Sequence, residues 1–245
     1  AITYAGYILG FPGDSKETIL RDIEIIKREL PLDILEFFFL TPLPGSEDHK
    51  VLSKKGVWMD PDLNKYDLNH RVSHHPIMSD TTWEKVYFDS WRQFYTPEHV
   101  ETVLRRDAAR GKRTSALYSS VVHFLGSILI EKVHPLECGI VRRKTRTQRR
   151  PGMKIESPVL FYPRRVVESL TSGVRWAQLF LKFRPALKRV KADKNAKAYT
   201  DLAMSASTDE ELDGMDLIQV FKDAIPRTHG APGFAGKPEL RPALP

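Results

Sequence analysis

The sequence holds a single cysteine, Cys138, in 245 residues. One thiol excludes an internal disulfide framework and suits a reducing cytoplasm. Long apolar runs are missing as well: nothing approaches the roughly eighteen uncharged apolar residues of a membrane-spanning helix. No G-x-G-x-x-G exists for a dinucleotide fold, and Gly13 is followed by Asp14-Ser15-Lys16 where a Walker A loop needs G-K-[ST], so phosphate transfer is disfavoured. No internal repeat is evident. Ala1 leads straight into an apolar run with no initiator Met, as expected if an earlier βα array of the same protein precedes it.

The length suits one large domain or two small ones, and 41% hydrophobic residues suffice for a core. With 38 Lys and Arg against 31 Asp and Glu the net charge is +7. That balance invites anionic partners such as nucleic acid or a membrane surface, and the excess is local.

The most specific signal lies between Ala1 and Gly45. Two apolar runs, Ile2 to Phe11 and Ile34 to Leu40, each stop at a Gly/Pro loop, Gly10 to Asp14 and Thr41 to Ser46. Between them Asp14 reads as an N-cap with Glu17 three residues on, a capping box. The helix is expected from about Ser15 to Leu30: Ile19, Ile23, Ile26 and Leu30 form one stripe of a 3.6-residue repeat, and Pro31 ends it. Apart from Glu36 the second run shows no polar alternation, the pattern of strands buried on both faces. Strand, helix, strand at this spacing predicts a parallel crossover unit, with chemistry gathered at the loops after the strands. On the residues alone, Gly10 and Gly13 form either a structural turn or a loop whose exposed amides face an anion or a planar ring.

Gly6-Tyr7-Ile8-Leu9-Gly10 fits a G-x-I-x-G pattern. With Phe11-Pro12-Gly13-Asp14 after it and Thr41-Pro42-Leu43-Pro44-Gly45 on the next strand, it resembles the fifth and sixth strands of a radical S-adenosylmethionine (SAM) enzyme. The likeness is to the branch that often carries an N-terminal cobalamin-binding domain. It covers the first fifth of the chain, and the stretch to about Arg110 by a general likeness to the helical region that follows such barrels. The family pattern often continues to an acidic residue three positions after the last Gly; here that place is Gly13, and Asp14 comes next.

The resemblance implies an α/β fold, the C-terminal βαβ part of a partial TIM-type (β/α)6 barrel followed by a mainly α-helical region. It implies S-adenosylmethionine as cofactor, with Gly6, Ile8, Gly10, Pro12 and Gly13 on its adenine side, and Thr41, Pro42 and Pro44 facing a small-molecule substrate. A [4Fe–4S] cluster in this family needs three closely spaced cysteines, which one cysteine cannot supply. The ligands are therefore expected upstream of Ala1, in a missing N-terminal part of the same protein, and the 245 residues alone are expected to be inactive. Cobalamin enters only through the branch resembled.

Residues Ser46 to Met78 read as a long irregular segment. Asp60 to Asn64 opens like an EF-hand loop, but Lys65 stands where Gly is needed and Arg71 where Glu belongs, so calcium is rejected. His70, His74 and His75 lack an acidic ligand at a recognised spacing and read as hydrogen-bonding loop residues rather than a metal site. If the segment covers the barrel mouth as a lid, Tyr66, His70 and His74 become candidate substrate contacts.

Ser79 caps a helix that places Trp83, Val86, Tyr87, Ser90, Trp91 and Phe94 on one packing face. Thr96 and Pro97 start another helix, running to about Gly111, and a third is expected from Ser115 to Val133, ended by His134-Pro135. The run Arg142 to Arg150 is a phosphate-binding patch or a solvated linker. The linker is favoured, since no aromatic interleaves the arginines, and nucleic acid is disfavoured for the same reason. The basic amphipathic stretch 161–191 either packs its apolar side on the protein, the commoner case, or makes peripheral membrane contact. After an acidic patch at Asp209 to Glu211 and a short amphipathic segment at Leu212 to Ile225, the Pro/Gly-rich end is expected to be disordered.

The expected organisation is thus a barrel part with its following loop over 1–78, a helical appendage over 79–135, a basic segment with its helix over 136–200, and a tail over 201–245. Two functions follow: the C-terminal fragment of a cytoplasmic radical SAM enzyme, or a non-enzymatic basic helical adaptor working through Arg142 to Arg150 on anionic membrane or nucleic acid.

Overall fold

A computed structural model describes residues 2–136 and 144–205. Cys138, Arg142, Arg143 and the expectations for the acidic and Pro/Gly-rich end lie outside the described residues. Residues 1–205 form one compact unit.

Strand β1 (Tyr4–Leu9) and strand β2 (Ile34–Phe39) pair in parallel, Tyr4 opposite Ile34 and Leu9 opposite Phe39, with helix α1 (Lys16–Glu29) as the crossover. The parallel unit read from the spacing is present. Its helix starts differently: Ser15 is the N-cap, and the capping box closes on Thr18 rather than between Asp14 and Glu17. The reason is competition for Asp14, whose Oδ2 accepts the Gly10 and Phe11 amides at 2.8 and 2.9 Å. Ile19 and Ile23 are buried, while Leu30, the C-cap, is exposed.

The sheet has two unlike faces. Ala5, Tyr7, Leu9, Leu35, Phe37 and Phe39 lie against α1 and helix α3 (Asp80–Phe94): Phe37 meets Trp91 edge-on at 5.4 Å, and Phe39 stacks on Tyr87 at 4.4 Å. Such aromatic contacts add to area burial. The other face carries Tyr4, Gly6 and Ile8, all exposed, beside Ile34, Glu36 and Phe38. The expectation that both strands are buried on both faces therefore fails for β1, an edge strand with one open face. It holds better for β2, where His134 stacks on Phe38 at 5.1 Å.

The loop segment is more ordered than its composition suggests. It contains helix α2 (Glu47–Lys54), capped by Ser46, a 3-10 turn at Leu63–Lys65 and a bridge from Met59 to Ser73. Helices α4 (Pro97–Ala109) and α5 (Thr114–Gly126) follow. A π-helical turn at Ser127–Glu131 extends α5 and ends at Lys132, in the left-handed region at φ 57°, before His134 is reached.

Helix α6 (Pro158–Ala192) is 35 residues long and packs on α4 and α5. Gly126 permits the approach: a Cβ there would lie 2.2 Å from the Trp176 ring. Arg106, 2% exposed, ties the rear of the unit together, donating to Asp201 Oδ2 and to the last carbonyls of α1, Lys27 and Leu30. Those carbonyls have no intrahelical partner. Among the described residues no helix is long and apolar enough to cross a membrane.

Candidate functional site

Both loops after the strands open on one hollow of about 610 Å³. Its walls include Gly10, Phe11 and Pro12 from the first loop, Leu40, Thr41 and Pro42 from the second, Val51 and Leu52 from α2, and His74, His75 and Trp83. The sequence dictates the first wall closely. Gly10 sits at φ 102°, and a Cβ there would stand 2.2 Å from Trp83 Cζ2, so any other residue meets both backbone strain and a ring. Asp14 then takes the Gly10 and Phe11 amides that a bare loop would offer to an anion. Of the two alternatives for this loop, the Gly10 amide fits the structural turn, since a carboxylate of the same turn already satisfies it.

His75 locks the far wall. Its Nδ1 accepts the Ile77 and Met78 amides at 3.1 and 2.9 Å, so Nε2 carries the proton and donates to the Phe11 carbonyl at 2.9 Å. One buried imidazole thus joins the segment after β2 to the loop after β1. His74 points otherwise: it stacks on Trp58 at 4.6 Å, and its Nδ1 lies 2.9 Å from Asp80. Thr41 donates to the Phe39 carbonyl.

The structure therefore brings Gly10, Pro12, Thr41, Pro42 and His74 to one hollow. Gly13 and Pro44 are exposed and line none of it, and a Cβ on Gly13 would meet nothing within 4 Å. His70 pairs with Asp67 and borders a separate hollow of about 270 Å³ with Asp60, Asn69, Arg71 and Lys132. Tyr66 borders neither; its hydroxyl donates to the Asp60 carbonyl at 2.9 Å. Gly6 and Ile8 stand on the open sheet face, outside the hollow. Phe38 occupies the space a side chain at Gly6 would need, 2.7 Å from the Cβ position.

One group on that face went unread in the sequence. Glu36 is fully buried, neither carboxylate oxygen has a hydrogen-bond partner among the described residues, and burial pushes its pKa up to about 7. Among the described residues the group that forms an ion-pair contact with it is His134, whose Nε2 lies 3.5 Å away and whose own pKa is lowered by burial. Burial disfavours the charged form of both groups. The available signal was the lone acid in an otherwise continuous apolar strand. Its partner, a hundred residues away beside a proline, reads in the sequence only as a helix stop.

The fit to the implied cofactors divides. Gly6 and Ile8 offer open apolar surface of the kind a nucleoside base covers, and the 610 Å³ hollow, apolar with few polar groups, has the make-up of a small-molecule site. The iron–sulfur cluster does not fit: the chain has one cysteine, and among the described residues no three His, Cys, Asp or Glu side chains converge on a metal position. Compared with protein-family models, curated proteins and solved structures, the chain matches none.

Proposed function

We propose that this chain is the C-terminal fragment of a cytoplasmic radical SAM enzyme acting on a small molecule, its parallel unit belonging to a partial (β/α)6 barrel. One observation carries the reading: the loops after two parallel strands, Gly10–Asp14 and Thr41–Ser46, border a single hollow of about 610 Å³. Parallel α/β proteins hold ligands at that end of the sheet. The face bearing Gly6, Ile8 and Glu36 would be the barrel interior, and the loop segment with α2 its lid. Gly6 and Ile8 would lie along the adenine of SAM, and the chemistry SAM would supply, with a reduced cluster held elsewhere, is radical hydrogen abstraction from substrate. This chain contributes apolar surface at Gly6 and Ile8, a wall at Thr41 and Pro42, and a carboxyl group at Glu36 whose pKa burial raises to about 7. Pro44 and Gly13 border the site only if other polypeptide closes over them. The cobalamin association rests on the sequence resemblance alone.

The test is to read the coding DNA upstream of Ala1. The frame is expected to continue into a C-x-x-x-C-x-x-C triplet about a hundred residues before Gly6, and the protein so encoded, loaded anaerobically with iron and sulfide, to release 5′-deoxyadenosine from SAM. A start codon directly before Ala1 would overturn the reading. The non-enzymatic adaptor is the second reading; the exposed apolar side of α6 favours it, and it needs no upstream part.

A further inference from the structure

Helix α6 has two apolar sides, and the protein covers one of them. Phe161, Phe183, Ala186 and Val190 are buried. Val159, Val166, Val167, Leu170, Val174 and Leu181 are not: they stand between 56% and 78% exposed. Their spacings of seven or eight, eleven, fifteen and twenty-two from Val159 place them along one line of the helix. A helix of this length reaches about 52 Å, so the stripe is long and narrow. Aromatic Tyr162 and Phe180 are exposed beside it. At Ala177, Phe180 and Leu181 it runs into an apolar hollow of about 500 Å³ bounded by Val122 and Trp176.

Charge separates sharply along the chain. Residues 2–136 carry seventeen Lys and Arg against nineteen Asp and Glu, a net charge of −2, whereas residues 144–205 carry fifteen against four, a net +11. Arg164, Arg175 and Lys182, eleven and seven residues apart, form a row roughly 100° around the helix from the stripe. Arg175, Lys182, Arg184 and Lys188 are exposed and in no ion pair among the described residues. The segment before α6 lies along its first turns, with Lys144 to Glu168 at 2.9 Å and Arg149 over Phe161 at 5.5 Å, on the side of the helix that the protein covers.

We propose that α6 docks on an anionic lipid surface, its valine and leucine stripe among the acyl chains and its arginine and lysine row against the lipid phosphates. The exposed side of α6 decides between occupants. Aliphatic side chains gain nothing from a nucleic-acid backbone, and a second copy would bring another +11 against the first. A bilayer of anionic lipid satisfies both features at once, giving apolar depth to the stripe and phosphates to the cations at its surface. The inference is independent of the radical SAM reading and stands or falls without it.

The test uses the full chain and sedimentation with vesicles of phosphatidylcholine alone or with about a third phosphatidylserine. Binding is expected to the anionic vesicles, at least about tenfold weaker to the neutral ones, and to fall steeply between 50 mM and 500 mM salt. Leu170→Asp with Val174→Asp, both on exposed positions, should weaken it about tenfold or more while circular dichroism stays unchanged. Arg175→Ser with Lys182→Ser should weaken it several-fold and flatten the salt dependence. Failure to bind anionic vesicles at 50 mM salt would overturn the proposal. So would binding that the double aspartate variant leaves intact, or a dimer in ultracentrifugation that the same variant abolishes, which would assign the face to a second copy.

Discussion

Residues 2–136 and residues 144–205 make cores of opposite kinds. The first region buries large rings on one side of a two-stranded sheet and pairs several of its polar groups internally: Asp14 on two amides, His75 on three backbone groups, Asp33 on Thr3 and Arg110. In the second, one long helix buries a few residues and leaves its best apolar stripe in water. Large aromatic area is expensive to expose, so the first region spends its hydrophobicity on itself. A stripe of valines and leucines flanked by cations gains little from folding and keeps that surface for contact with something else.

The contrast is broken most forcefully at Gly10. Gly10→Ala meets Trp83 at 2.2 Å and a left-handed backbone at once, and α3 cannot retreat without opening the aromatic layer. Loss of about 3 kcal/mol is expected in urea unfolding. Gly13→Ala, three residues along with nothing within 4 Å, should be within about 0.5 kcal/mol of the parent. Equal losses at the two glycines would remove Trp83 as the reason for Gly10.

Glu36 sharpens the same contrast through pH. Its folded pKa is raised to about 7, so the folded state holds a proton that the unfolded chain releases near the ordinary value of 4.5. The group's contribution is therefore fully present below about pH 4.5 and is lost as pH rises through 7. Glu36→Gln keeps the shape and removes the titration. The variant should gain on the parent steadily from pH 5 to pH 8, by on the order of 1–3 kcal/mol, read from urea midpoints. Parallel curves for the two proteins would show that His134, at 3.5 Å, compensates the charge.

How far the sequence reached depends on the kind of interaction. The βαβ unit, the faces of α3 and the Thr96–Pro97 start of α4 were legible, because period, caps and breakers are local. The Asp14 staple was misread as a cap because an acid before a helix satisfies either set of amides equally well on paper, and only the turn at Gly10 decides. The joining of Gly10, Pro12, Thr41, Pro42 and His74 at one hollow was legible as far as the two loops went. His75 was seen as a hydrogen-bonding histidine, but not that its partner would be Phe11, sixty-four residues away. The π turn that ends α5, and Glu36 meeting His134, depend on long-range packing that no local pattern encodes. The stretch 161–191 reads chiefly as a helix packing its apolar side on the protein, and a helix with apolar residues on two sides gives no local sign that one of them stays open.

The smallest expected effect tests that last point directly. Leu170→Ser removes a large apolar side chain from the middle of α6, yet Leu170 is 65% exposed, so little area leaves water when the chain folds. Stability should change by no more than about 0.5 kcal/mol, mostly from the lower helix propensity of Ser. Phe183→Ala, thirteen residues on and fully buried in the same helix, should cost about 3–5 kcal/mol. The pair is to be compared in urea unfolding of the full chain without lipid. A loss at Leu170 approaching that at Phe183 would mean that the stripe is buried against this chain in solution. The two regions would then share one kind of core, and the stripe would no longer be open to a partner.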